Sequence, residues 1–205
     1  MKNNTSLTPQ RRRPNKTRIT GSGEKNLLKY SALGATVTTS GTGDGWTARG
    51  YVPGNATTGL NVCAGASIAA LYQTGVFRPG TKVTWTPNLG MTASGRIYMA
   101  FVDNSESIYF YDSNNQAVRS GMVKSTGNMV SGHIAQELTF TIPSNPRRKR
   151  FDSNATTALT DVDIIERSCQ GALIFGVDGC PADTVVGQMH YHDVLEVEGI
   201  AAVTT

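Results

Sequence analysis

The chain has 205 residues, 19 Lys and Arg against 15 Asp and Glu, and a net charge of +4. That length suits one ordinary domain, and 22 Gly and 8 Pro with only 17% charged residues favour short strands joined by turns over helical packing. No run reaches the roughly 18 to 20 apolar residues of a membrane span, and no apolar stretch follows the first basic residues as in a signal peptide, so a protein outside membranes and outside the secretory route is expected.

Residues 1–29 carry Lys2, Arg11, Arg12, Arg13, Lys16, Arg18, Lys25 and Lys29 against one acid, Glu24, which is +7. The other 176 residues hold 11 basic and 14 acidic side chains, which is −3. The leading segment is rich in Asn, Thr, Ser and Pro and has almost nothing apolar to bury, so it is predicted to stay disordered and to seek a polyanion. The expected division is a basic arm over 1–29 and a single β domain over 30–205.

The first strand is predicted at Ala35 to Thr39. A turn cluster, Ser40 to Gly45, leads into a second at Trp46 to Val52, which Pro53 and Gly54 stop. Asn61 to Gln73 is dominated by Ala, Leu and Ile at helical spacing and predicts a short helix capped near Asn61. Lys82 to Thr86 alternates, with Val83 and Trp85 on the buried side and Pro87 closing the run. After a turn at Gly95, Ile97 to Val102 is apolar throughout, the pattern of a strand covered on both faces.

Residues 107–126 give mixed signals and read as a short helix or a long connection. Glu137 to Ile142 alternates again with Leu138, Phe140 and Ile142 inward, and Thr160 caps a helical turn reaching Arg167. Gly171 to Val177 and Gly187 to Val197 are the last strands, separated by the turn Gly179, Cys180, Pro181. In the final strand Met189, Tyr191, Leu195 and Val197 share a face with Asp193, an acid out of place there, for which a bulge is one remedy. About eight antiparallel strands and two short helices predict an all-β jelly-roll sandwich, which closes such a count without long exposed edges.

Cys63, Cys169 and Cys180 are odd in number and irregularly spaced, which argues against a disulfide framework. His190 and His192 lie two apart on a strand and face the same way, with Cys180 upstream; no Cys-x-x-Cys or paired-His motif accompanies them as a zinc site requires. No nucleophile elbow and no phosphate-binding loop of the Walker type occurs, so no enzymatic activity is expected.

The run from Val83-Thr84-Trp85-Thr86-Pro87 through Thr92-Ala93-Ser94-Gly95 to Arg96-Ile97-Tyr98-Met99-Ala100-Phe101 resembles the shell-domain coat proteins of small positive-strand plant RNA viruses, of the tombusvirus, sobemovirus and ourmiavirus type. Pro146-Arg147-Arg148-Lys149-Arg150-Phe151-Asp152 is similar to a later basic, aromatic, acidic segment of those shells. The resemblance spans roughly 29–197. It implies a jelly-roll shell domain that assembles with copies of itself into an icosahedral or bacilliform virion, with single-stranded RNA held by the arm residues Lys2, Arg11, Arg12, Arg13, Lys16, Arg18 and Lys25. It also implies a location in the virion, and in the host cytoplasm during assembly. A protruding second domain is not expected, since the chain ends soon after its last strand.

Many such shells bind calcium between subunits through acids just after the Ala-Phe strand. Here Val102 stands at a place often taken by an acid, leaving Asp103, Asn104 and Glu106 as an incomplete set, with Asp103 and Asp152 as the acids to test; calcium needs six to eight oxygen ligands, so a neighbouring chain would have to contribute. Arg147, Arg148, Lys149 and Arg150 suit either RNA or carboxylates across a subunit contact. The alternative reading is a viral RNA-binding protein that is not a coat protein, such as a silencing suppressor or movement factor.

Overall fold

Val83 and Trp85, Ile97, Met99 and Phe101, and Phe140 and Ile142 meet in one apolar layer between two antiparallel sheets. The computed structural model describes residues 25–50, 72–102, 120–121, 123–124, 127–143, 149–150 and 171–200. Ten strands lie within them: β1 (Lys25–Thr38), β2 (Gly45–Gly50), β3 (Tyr72–Phe77), β4 (Lys82–Pro87), β5 (Arg96–Val102), β6 (Met129–His133), β7 (Leu138–Thr141), β8 (Lys149–Arg150), β9 (Ala172–Asp178) and β10 (Val185–Ile200). The first sheet runs β7-β4-β10-β3-β8 with β1 along the other side of β10, and the second runs β2-β9-β5-β6. Apart from β3 and β8, the chain passes back and forth between the sheets, with β1, β4, β7 and β10 in one and β2, β5, β6 and β9 in the other, which is the jelly-roll arrangement.

Alternation decides which side chains enter this layer. In β4 the burial pattern is exposed, buried, half-buried, buried, with Val83 and Trp85 fully inside as predicted. Burying an aliphatic or Phe side chain stabilises by about 1.5 to 3 kcal/mol, and a two-residue period delivers every second one to the same face. β5 and β9 are apolar at consecutive positions because the second sheet is covered on both sides. Ile97, Met99 and Phe101 face the main core, while Ala100 joins Trp46, Val123, Ala172 and Ile174 in a smaller cluster outside it.

Several expectations change. The helix predicted over 61–73 falls on residues outside those described, except that Tyr72 and Gln73 belong to strand β3. The helical turn at 160–167 also lies outside them. Strand β6 at Met129–His133 was not predicted, because its Ser131 and Gly132 interrupt the apolar alternation. The first strand begins at Lys25 rather than Ala35, so the boundary expected at Lys29 lies inside β1.

Asp193 needs no bulge in its own strand. It is 1% exposed and pairs in register with Tyr30 of β1. The irregularity sits opposite: Phe77 pairs with Leu195 and Lys82 with His192, so the four residues Arg78 to Thr81 face only Asp193 and Val194. Strands β3 and β4 are thus one strand interrupted by a loop, and Thr81 repairs the ladder there. Its hydroxyl accepts from the Val194 N–H at 3.1 Å, and the Arg78 N–H donates to the Val194 carbonyl at 2.8 Å. This interruption, the unpredicted β6 and the two-residue β8 bring the count to ten among the described residues, where about eight were expected.

Candidate nucleic-acid and assembly surfaces

Of the predicted arm residues, Lys25 is described and exposed at the start of β1; Lys2, Arg11, Arg12, Arg13, Lys16 and Arg18 lie outside the described residues. So do Arg147, Arg148, Asp103 and Asp152, whereas Lys149 and Arg150 form β8. The pairing brings the described ends of the two basic stretches, Lys25 and Arg150, to one end of one sheet. Lys25 is opposite Glu198, Glu198 opposite Thr74, and Thr74 opposite Arg150. Three strand spacings separate the Lys25 and Arg150 backbones by about 14 Å. Sequence alone could not show this, because 125 positions separate them.

The outer face of the same sheet is polar and basic. From β1 it takes Lys25, Leu27, Lys29, Ser31 and Leu33, which are exposed while the intervening residues are half-buried. His192 lies between Ser31 and Lys82 in the pairing, with its Nδ1 2.8 Å from the Ser31 hydroxyl, and His190 lies between Leu33 and Thr84. Thr84 and Thr139 share a hydroxyl contact of 3.2 Å farther out. Near the β3 end, the Arg78 Nε donates to the Glu196 carboxylate at 2.9 Å. Lys29 and Lys82 were not among the predicted RNA-binding residues; their signal is modest, a Lys at a solvent position of an alternating strand.

His190 and His192 do face the same way, but Cys180 is not with them. It is buried in the main core, its thiol donating to the Asp178 carbonyl at 3.8 Å, and burial pushes the thiol pKa up. Among the described residues no group of three or more His, Cys, Asp or Glu side chains is placed to hold a metal ion. No helix among them is long and apolar enough to cross a membrane.

The second sheet's outer face differs. Lys124 covers it, bound to Asp178 at 3.0 Å and lying 5.7 Å from the Trp46 ring and 5.5 Å from that of Tyr98. The hydrogen bond from Lys124 holds the Asp178 carboxyl below its ordinary value, and the same bond raises Lys124. A cleft of about 880 Å³ opens beside this pair, lined by Thr36, Thr38, Trp46, Ser120 and Lys124 among others.

No family model matches the chain, and no curated protein does. Solved structures do. The chain matches that of Tobacco Necrosis Virus at 13% identity over 87% of this chain and 97% of the other, with a TM-score of 0.68. The chain has the fold of a viral capsid subunit. Maize Chlorotic Mottle Virus gives 19% identity, 87% and 97% coverage and a TM-score of 0.67, and Cucumber Leaf Spot Virus 15%, 89% and 59% with 0.67. The chain thus spans about three fifths of the Cucumber Leaf Spot Virus chain, and 58% of that of Cucumber Necrosis Virus. The capsid-subunit fold confirms the all-β jelly-roll expectation and the resemblance read from the strand motifs.

Proposed function

We propose that this chain is a viral coat protein that assembles with copies of itself into a closed shell and packages single-stranded genomic RNA through its basic leading segment. The observation that carries the proposal is a jelly roll overlaying virus capsid subunits along 87 to 89% of the chain, with a +7 segment in front. Closed symmetric assembly needs several contact patches on one subunit, and a strand sandwich with loops at both ends supplies them. One leading segment binds RNA modestly and without regard to sequence. Many on one shell act together on one polymer, so affinity resides in the assembly and falls with salt. The role is structural rather than enzymatic, in the virion, with assembly in the host cytoplasm.

Electron microscopy of the purified protein, with an ultraviolet spectrum for nucleic acid, tests this directly. Closed particles that contain RNA are the expected result; a chain that stays solitary at low and moderate salt, with or without RNA, overturns it. Removing residues 2–24, which stops short of β1, should leave shells that lack RNA. A protein that only binds RNA would lose its ligand and show no shells in either form. Calcium at subunit contacts, held by Asp103 and Asp152 with a neighbour's acids, belongs to the same proposal: chelation should swell or loosen the particles, and indifference to chelator removes the metal from it.

A further inference from the structure

We propose that the exposed outer face of the first sheet is a second RNA-binding surface, on which Lys29 and Lys82 hold phosphates of the strand that the leading segment captures. This rests on the packaging function above. Lys29 pairs with Val194, two positions along β10 from His192, which pairs with Lys82. Two strand spacings and two residues put the lysine Cα atoms about 12 Å apart on one face. Both side chains are exposed. Around them the face offers the hydroxyls of Ser31, Thr84 and Thr139 and the rings of His190 and His192.

Charge selects the occupant. Three described acids lie on or beside this face: Glu196 stands two residues along β10 from Val194, the partner of Lys29, and accepts from Arg78; Glu198 is opposite Lys25; and Glu137 is just ahead of β7. Asp193 points inward. With Arg78 set against Glu196 and Lys25 against Glu198, Lys29 and Lys82 leave the described residues of this face with a positive balance, in a domain whose overall balance is −3 after residue 29, and phosphates are its complement. The 24 residues ahead of Lys25 join the fold on this sheet, so an RNA strand held by them is delivered along β1 toward Lys29. Leu27 and Leu33, 56% and 66% exposed on the same face, offer apolar area that phosphates leave free for bases. Among the described residues of the second sheet, Lys124 is bound to Asp178 and Arg96 donates to the Ser131 hydroxyl at 3.3 Å.

The test measures binding of a fluorescein-labelled oligouridine to the full chain over roughly 50 to 200 mM salt, where each phosphate contact to a single strand contributes about 0.7 to the slope of log affinity against log salt. Lys29→Gln with Lys82→Gln should flatten the slope by about 1.4, while Arg96→Gln with Lys124→Gln on the other sheet should leave it unchanged. Ultraviolet crosslinking of unmodified particles should place RNA on peptides containing residues 25–34 and 82–87. An unchanged slope in the Lys29/Lys82 variant, an equal change in the Arg96/Lys124 variant, or altered self-association without a change of slope each overturns the inference; the last would make this face a contact between copies. Arg11, Arg12 and Arg13 changed to Gln should flatten the slope independently. If the unmodified full chain binds no RNA, packaging itself fails. If the arginine variant responds and the lysine variant does not, only the sheet-face site fails.

Discussion

The Trp85 indole N–H donates to the Ile134 carbonyl at 3.0 Å, deep in the main core. Its ring also fills the space above Gly187 of β10, where an added Cβ would come closer than 3.0 Å to it. Trp85→Phe removes the donor, leaves a buried carbonyl unsatisfied and opens a void. It should cost about 2 to 4 kcal/mol in urea unfolding. Gly187→Ala should cost about 1 to 3 kcal/mol by overpacking. Part of that cost should vanish in the Trp85→Phe background, the remainder coming from the Thr86 carbonyl that a Cβ at 187 would also meet.

Thr81 is fully buried, and its hydroxyl stands in for a missing ladder partner of Val194. Thr81→Val keeps the shape and removes the acceptor. A loss of about 1 to 3 kcal/mol is expected, with faster amide exchange at Val194; exchange as slow as in the unmodified chain would show that the hydroxyl does not close this gap.

Gly95 has φ +119°, and an added Cβ would collide with the Cys180 thiol and backbone. Gly95→Ala should therefore lower stability and open Cys180 to alkylation. In the unmodified chain, burial raises the Cys180 pKa, so the thiol stays protonated and alkylates slowly near pH 8 until urea unfolds the domain. With the folded value above the unfolded one, this contribution is full below the ordinary thiol range near about 8.5 and is lost as pH rises through the folded value.

Lys124 and Asp178 form a surface pair worth at most about 1 kcal/mol. Hydrogen bonding lowers Asp178 and raises Lys124. The Asp178 contribution is present above the ordinary carboxylate value near about 4 and is lost as pH falls through its lowered folded value; the Lys124 contribution is present below about 10 and is lost at higher pH. Lys124→Gln should lower the melting temperature slightly between these limits, with the difference from the unmodified chain closing toward strong acid. A difference that persists there would assign the effect to packing on Trp46 and Tyr98.

Sequence by itself determined the charge division, the inward faces of β4, β7 and β10, and the burial of β5 on both sides. Alternation and continuous apolar runs are local properties, and burial acts on them residue by residue: Val83 with Trp85, Phe140 with Ile142, and the apolar stretch from Ile97 are legible without knowing any partner strand. The +7 charge of the basic segment is likewise legible without any partner strand, and it is the basis of the RNA ligand proposed for it. Tertiary structure decided what depends on residues far apart in the chain. Tyr72 and Gln73, which continue a helical pattern, become strand because β10 offers them an edge. Asp193 stays buried in a strand without a bulge at that position, and the irregularity falls in the opposite strand at Arg78 to Thr81, a choice that no local signal carries. The placement of Lys25 near Arg150, and of Lys29 near Lys82, exists only through pairing with β10, because hydrogen-bonded ladders join segments whose separation in sequence has no bearing on their separation in space.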